Sequence, residues 1–419
     1  MFLSTCVLTM LPGAGFAPPP TAHATTADGT LLFVAMSGTG EKPNAGFVCV
    51  WDLTKPELRA VIPGTPTNTR LLQPTADGKR FVAVGGDRWA VSKIEVYDTA
   101  TKKLLHTFDG SAQYGSEVAV SLDGAWVAVR PRTDKAELKV WNTETGKRAG
   151  AVEKAAGDVA GTVAFTGAKL VVASKAAYAE FDPATGKKLD GWKTAEPAGR
   201  LFHEGAGQIA VLPNGKGMVS VAATGKRRQT YVVDLVTEKK TWFLGEASDR
   251  ASAPVLSPDG RLLIVSAGNA RTEGSGTYAL NLDADGAPEL TDAKDDNRPF
   301  WGARGDDKKV PAWREWAHDE VTGGRALPQR DWPGPLAFSP DGKRLFAGGT
   351  SGRVAVYDLE ARDPKATLFV GNVTKDEVPT WHIVTGAGAV VGSPRDVEAL
   401  VKSGKVKDAA KVKAALGVK

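Results

Sequence analysis

One short phrase returns seven times along the chain, and it restricts the fold more than any other feature. It is a turn ending in glycine, a β-rich run, a gap, and a second β-rich run that closes on Asp or Asn. The turns are Ala27-Asp28-Gly29, Ala76-Asp77-Gly78, Leu122-Asp123-Gly124, Phe165-Thr166-Gly167, Pro213-Asn214-Gly215, Pro258-Asp259-Gly260 and Pro340-Asp341-Gly342. The matching strand ends are Trp51-Asp52, Tyr97-Asp98, Trp141-Asn142, Phe181-Asp182, Val233-Asp234, Leu280-Asn281 and Tyr357-Asp358. From turn glycine to strand end the separations run from 15 to 23 residues. Successive turn glycines stand 49, 46, 43, 48, 45 and 82 residues apart, so only the sixth interval carries extra chain. A period of roughly 40 to 50 residues is the mark of propellers and solenoids.

The residue types explain the phrase. Asp-Gly and Asn-Gly pairs predict two-residue hairpin turns with positive φ. Runs such as Arg80-Phe81-Val82-Ala83-Val84 and Leu262-Leu263-Ile264-Val265 are nearly all apolar, as a strand covered on both faces must be. Segments such as Leu104-Leu105-His106-Thr107-Phe108 then supply a fourth, outer strand. Each repeat therefore reads as a four-stranded antiparallel sheet. No such sheet buries both faces alone, so the expectation is an all-β, seven-bladed β-propeller spanning 25–392 with a short basic C-terminal helix.

The phrases Leu336-Ala337-Phe338-Ser339-Pro340-Asp341-Gly342 and Val354-Ala355-Val356-Tyr357-Asp358 resemble the WD-repeat family of β-propellers, in the manner of degenerate bacterial repeats. The likeness covers about residues 27 to 370. The family's Gly-His dipeptide is missing, because none of the five histidines follows a glycine. Closure has its own expectation. From Pro18 up to Ala27 stand only three prolines and a short stretch of Thr, Ala and His, with no strand-like apolar run, so Trp381-His382-Ile383-Val384 is expected to complete the first sheet. Beyond it Val397, Leu400, Val401, Val412 and Leu416 form a rough helical stripe, expected to be a peripheral basic tail over 393–419.

Formal charge is +5, with 53 Lys and Arg against 48 Asp and Glu, and residues 395–419 alone hold 7 basic and 3 acidic side chains. A basic balance confined to a tail argues against a nucleic-acid-binding face. Residues 1–24 contain no charged side chain, carry an apolar run from Phe2 to Leu11 and end in Ala22-His23-Ala24, the pattern of an export signal. Pro12, Gly13 and Gly15 interrupt it, and a membrane helix needs roughly 20 unbroken apolar residues. The protein is therefore expected to be exported to the periplasm or cell envelope, without a transmembrane segment and as a monomer. Removal of 1–24 would leave Cys49 alone, a small hydrophobe in a strand.

Motifs for chemistry are scarce. No Gly-Lys pair is followed by Ser or Thr, no Gly-x-Ser-x-Gly elbow occurs, and His23, His106, His203, His318 and His382 lack metal-ligand spacing. Asn281, Asp283, Asp285, Gly286, Glu289 and Asp292 approximate a calcium loop, but they fall where each repeat needs a polar turn. No catalytic residue, cofactor or metal ligand is assigned. The unusual segment is the insertion at 287–333, between blades six and seven, which holds four of the eleven tryptophans among several arginines. Trp301, Arg304, Trp313, Arg314, Trp316, Arg330 and Trp332 are the expected partner-binding residues, since Trp and Arg anchor interfaces. The expectation is a non-enzymatic binding propeller that recognises a protein or peptide on one ring face. The alternatives are a metal-dependent, lactonase-like hydrolase with a channel site, and attachment to cell-envelope polysaccharide.

Overall fold

The computed structural model describes strands and turns between residues 20 and 281 and between 335 and 416; 1–19, 282–334, 417–419 and short inter-strand stretches lie outside it. The first sheet comprises β1 (Pro20–Thr25), β2 (Leu31–Met36), β3 (Gly46–Asp52) and β4 (Glu57–Thr65). The second holds β5 (Leu71–Pro74), β6 (Arg80–Gly85), β7 (Lys93–Asp98) and β8 (Leu104–Asp109). The third has β9 (Glu117–Val120), β10 (Trp126–Arg130) and β11 (Lys139–Asn142), followed by helix α1 (Gly150–Ala156). The fourth contains β12 (Thr162–Thr166), β13 (Lys169–Ala173), β14 (Ala177–Phe181) and β15 (Lys188–Lys193), and the fifth β16 (Ala206–Val211), β17 (Gly217–Thr224), β18 (Arg227–Asp234) and β19 (Lys240–Ala247). In the sixth, β20 (Arg250–Ala251) and β21 (Val255–Leu256) both pair with β22 (Leu262–Gly268), which also pairs with β23 (Ser275–Asn281). The last begins with β24 (Leu336–Phe338), β25 (Arg344–Gly348), β26 (Arg353–Asp358) and β27 (Asp363–Val370).

From β1 to β27 every hydrogen-bonded strand pair is antiparallel, and inner strands of successive sheets lie side by side, as β1 does with β5 and β12 with β16. Apolar side chains fill the seams. Phe33, Val48, Val50 and Ile62 meet Leu72, Phe81 and Tyr97 between the first and second sheets. Val82, Val84, Ile94 and Phe108 meet Val127, Val129 and Trp141 between the second and third. Every residue of β2 and β3 is buried, which is why those strands carry so few polar side chains. The first and last sheets also touch: Thr25 Oγ1 donates to the Phe338 carbonyl at 3.1 Å. Sheets that pack radially and return to the first make a β-propeller.

Closure differs from the expectation. β1 already fills the inner edge of the first sheet, from Pro20 opposite Met36 to Thr25 opposite Leu32. The strand β28 (Trp381–Thr385) therefore pairs with the outer edge of β27, from Val370 opposite Trp381 to Ala366 opposite Thr385. It continues into β29 (Ala389–Gly392), helix α2 (Pro394–Lys402), the short parallel strand β30 (Val406–Lys407) and helix α3 (Ala409–Leu416). The expected domain start at residue 25 also runs through β1, since a cut after Ala24 would leave only Thr25 of that strand.

The tail is not peripheral. Val397 and Leu400 pack on Val384 and Val390. Val412 and Leu416, both fully buried, join Trp51, Leu53, Val354, Leu368 and Ile383 in the cluster that fills the seam between the first and last sheets. Val401 alone of the stripe is exposed. Burying two such side chains contributes about 1.5–3 kcal/mol each.

The third sheet departs from four strands in the other direction. Arg148 makes a single bridge to Trp141, and the chain then turns into α1. Glu153 on that helix accepts the Val140 amide at 2.8 Å and both Nε and Nη2 of Arg148, at 3.0 and 2.7 Å. A carboxylate thus satisfies an edge amide that an outer strand would otherwise have taken.

Candidate functional site

The Asp-Gly turns share one hydrogen-bond pattern, and its key member stands two residues before the Asp. Thr26, Thr75, Ser121 and Ser339 donate to Asp28, Asp77, Asp123 and Asp341 at 2.6, 2.7, 2.5 and 2.6 Å. The same hydroxyls accept the amides of Leu31, Arg80, Trp126 and Arg344 at 2.9–3.1 Å. Each Asp also accepts the amide two residues on, at 3.0 Å. These hydrogen bonds hold Asp77 down to about 2, Thr75 first and the Lys79 amide next.

The turn type differs from the two-residue hairpin expected. A 2.9 Å bond from the Gly29 amide to the Thr26 carbonyl closes a four-residue turn, and Gly29 takes φ +70° while Asp28 does not enter the positive region. The Asp is used for its side-chain acceptors rather than for its backbone freedom.

These turns rest on one another. A Cβ at Gly124 would lie 2.9 Å from the Pro74 carbonyl oxygen, and one at Gly29 would lie 2.9 Å from the Pro340 ring. Gln73 Nε2 donates to the Leu122 carbonyl at 2.9 Å, and the Ala76 amide to the Asp123 carbonyl at 3.3 Å. Turn therefore abuts turn from the seventh sheet to the first, second and third, making a continuous, internally braced surface.

A second feature lies at the rim, where the turn after β3 faces the C-terminal elements. A groove of about 580 Å³ is lined by Thr54, Lys55, Pro56 and Glu57 on one side, and by Trp381, Val391, Lys407 and Lys413 among others on the opposite side. Asp52 shapes the near wall by accepting the Thr54 hydroxyl at 2.6 Å and the Thr54 and Lys55 amides at 2.9 and 3.1 Å. The Trp381 ring stands edge-on to buried Trp51, centroids 5.7 Å apart. Beneath it His382 Nδ1 lies 3.0 Å from Asp396 Oδ2, both buried, with the imidazole stacked on Phe369 at 4.8 Å. That pair ties α2 to β28 and so fixes the wall that carries Trp381.

The ammonium groups of Lys55, Lys407 and Lys413 have no ion-pair partner among the described residues, whereas Lys411 pairs with Asp408 and Lys402 with Glu398. The groove thus presents three cationic side chains against the single carboxylate of Glu57.

The sequence-predicted contact residues Trp301, Arg304, Trp313, Arg314, Trp316, Arg330 and Trp332 lie outside the described residues. So does the calcium-like loop after Asn281, which itself ends β23 opposite Leu262. The chain re-enters at Pro335, beside Gly348, whose amide donates to the Pro335 carbonyl at 2.9 Å. His23 of β1 is buried against the same glycine. Burial pushes its imidazole down to about 3, against a smaller opposing pull from the Phe346 backbone. No hydrogen bond of good geometry reaches either ring nitrogen among the described residues. Cys49 is buried in β3, which drives its thiol pKa up. Among the described residues no three His, Cys, Asp or Glu side chains come together as a metal ion would need.

No family model and no curated protein matches the sequence. In structure the chain is similar to the hydrazine synthase of Kuenenia stuttgartiensis, at a TM-score of 0.47 and 13% identity over 88% of this chain and 99% of that one. It is also similar to the Cps50 (Swd1) β-propeller domain of Myceliophteria thermophila, at a TM-score of 0.49 and 13% identity over 83% of this chain and 100% of that one.

Proposed function

We propose that the protein is an exported, closed seven-bladed propeller of WD-like repeats that binds a protein or peptide partner. The observation that carries this reading is the braced turn surface. The four described Asp-Gly turns, at Asp28, Asp77, Asp123 and Asp341, are each held by a Ser/Thr–Asp bond, and those of the first, second and third sheets are seated against the preceding sheet, so little ordering entropy opposes association. Support for the count of seven comes from the seven described sheets and the contact of the last with the first. The Trp and Arg residues of 287–333 supply further contacts in this reading.

Affinity capture from the envelope fraction, with the whole protein and with a variant lacking 292–332, tests this. A partner retained by the first and lost by the second is the expected result; identical capture by both removes the insertion from the reading. Export rests on the apolar run Phe2–Leu11. Because β1 fills the first sheet's inner edge, N-terminal sequencing of the envelope-derived protein is expected to begin at or before Pro20. A start at Thr25 would show that β1 is dispensable.

A further inference from the structure

We infer that the rim groove between the Thr54–Glu57 turn and the C-terminal elements is a docking site for an acidic peptide segment bearing an apolar side chain. The inference rests on the peptide-binding reading above and gives it a location and a partner chemistry. Three observations converge. Lys55 and Lys407 are exposed, Lys413 is half-buried, and none of the three has an anionic partner among the described residues. Their only opposing charge in the groove is Glu57. The lining between them is apolar, with Trp381, Val391 and Pro56. A volume of about 580 Å³ suits a few residues of extended chain rather than a globular surface.

The groove walls are also fixed before any ligand arrives. Asp52 pins the turn, Trp51 backs Trp381, and the His382–Asp396 pair anchors the strand behind it. A carboxylate-rich peptide would place its charges on the lysines and one apolar side chain against Trp381. An anionic polysaccharide fits less well, because the groove offers its sugars a single aromatic ring, Trp381, to stack on.

The test is fluorescence anisotropy with the full-length protein and a short labelled peptide of glutamates flanking a leucine. The comparison set is the same peptide with lysines for glutamates and a labelled polygalacturonate. The acidic peptide is expected to bind, to weaken with added salt, and to bind about tenfold or more weakly to the Lys55→Glu, Lys407→Glu, Lys413→Glu triple variant. Two of the three substitutions are on exposed side chains and the third, at Lys413, is on a half-buried one, and an unchanged thermal midpoint will show that the variant folds. A second variant, Val391→Gln, which makes the apolar floor polar without changing the charge and keeps the lysines, is expected to weaken the acidic peptide as well. Equal affinity in wild type and triple variant, or tighter binding of polygalacturonate than of the peptide, overturns the inference. If the triple variant still captures the envelope partner through 292–332 while ignoring the acidic peptide in common with wild type, the groove assignment fails and the broader binding reading stands.

Discussion

The third and seventh sheets depart from the four-stranded repeat in opposite directions. The third stops after three strands, and Glu153 covers the exposed Val140 amide with a side-chain oxygen. The seventh keeps its four and adds β28, β29 and β30. Both arrangements occupy an outer edge that would otherwise present unpaired amides and carbonyls. The difference lies in what the occupant also does. α1 caps its sheet and sends Val152 into the neighbouring seam. The seventh sheet's extension carries Val412 and Leu416 across to the first sheet, so it covers an edge and buttresses the place where the ring meets itself.

The largest expected effect tests that buttress. Leu416→Ala should cost about 2–4 kcal/mol, because the side chain is fully buried among rigid sheets that cannot collapse into the gap. Urea denaturation followed by tryptophan fluorescence measures it; an unshifted midpoint would reduce the C-terminal elements to an appendage. Next is the pH response of the same seam. His23 is neutral when buried and titrates near 6.5 when the chain unfolds, so the unfolded chain takes up the proton first. Stability is therefore full above about pH 6.5 and falls by about 1.4 kcal/mol per unit as the pH drops toward 3. Denaturation midpoints at pH 7 and pH 5 should differ more in wild type than in His23→Gln, and equal differences would place the pH response elsewhere.

At the third sheet, Glu153→Ala should cost about 1–2 kcal/mol by leaving the Val140 amide without its acceptor, and Glu153→Gln, which keeps an acceptor, clearly less. Equal losses would mean that charge rather than edge capping matters there. The smallest effect should be shared. Ser121→Ala and Ser339→Ala remove equivalent turn hydroxyls from the two sheets and should each cost about 1 kcal/mol. A large disparity would show that the two sheets differ at their inner turns as well as at their outer edges.

Much of the architecture could be read beforehand, because the central strands are buried on both faces and must be continuously apolar. Leu31–Met36 and Phe81–Val84 announce themselves for that reason. β1 does not: Pro20-Thr21-Ala22-His23-Ala24-Thr25 is short, half of it polar and the rest small or proline, and only its pairing with β2 makes it a strand. Trp381–Val384 was legible as a strand but not as the neighbour of β27, since the vacant edge is a property of the assembled sheet. α1 was hidden because its capping works through one carboxylate rather than a pattern. The Thr or Ser before each Asp was present in every turn of the type Thr75-Ala76-Asp77-Gly78, and periodicity alone gives it no weight. The rim groove was illegible for a simpler reason: Lys55 and Lys413 are separated by most of the chain, and only the fold brings them to one opening.

The packing of the first sheet against elements far along the chain has a consequence for biosynthesis. Trp51 and Leu53 leave the ribosome roughly 360 residues ahead of Val412 and Leu416, the side chains that shield them. Throughout translation the first sheet therefore presents a greasy flank to its surroundings, and a nascent chain stalled before residue 412 would carry that flank uncovered, an invitation to chaperones and to aggregation alike.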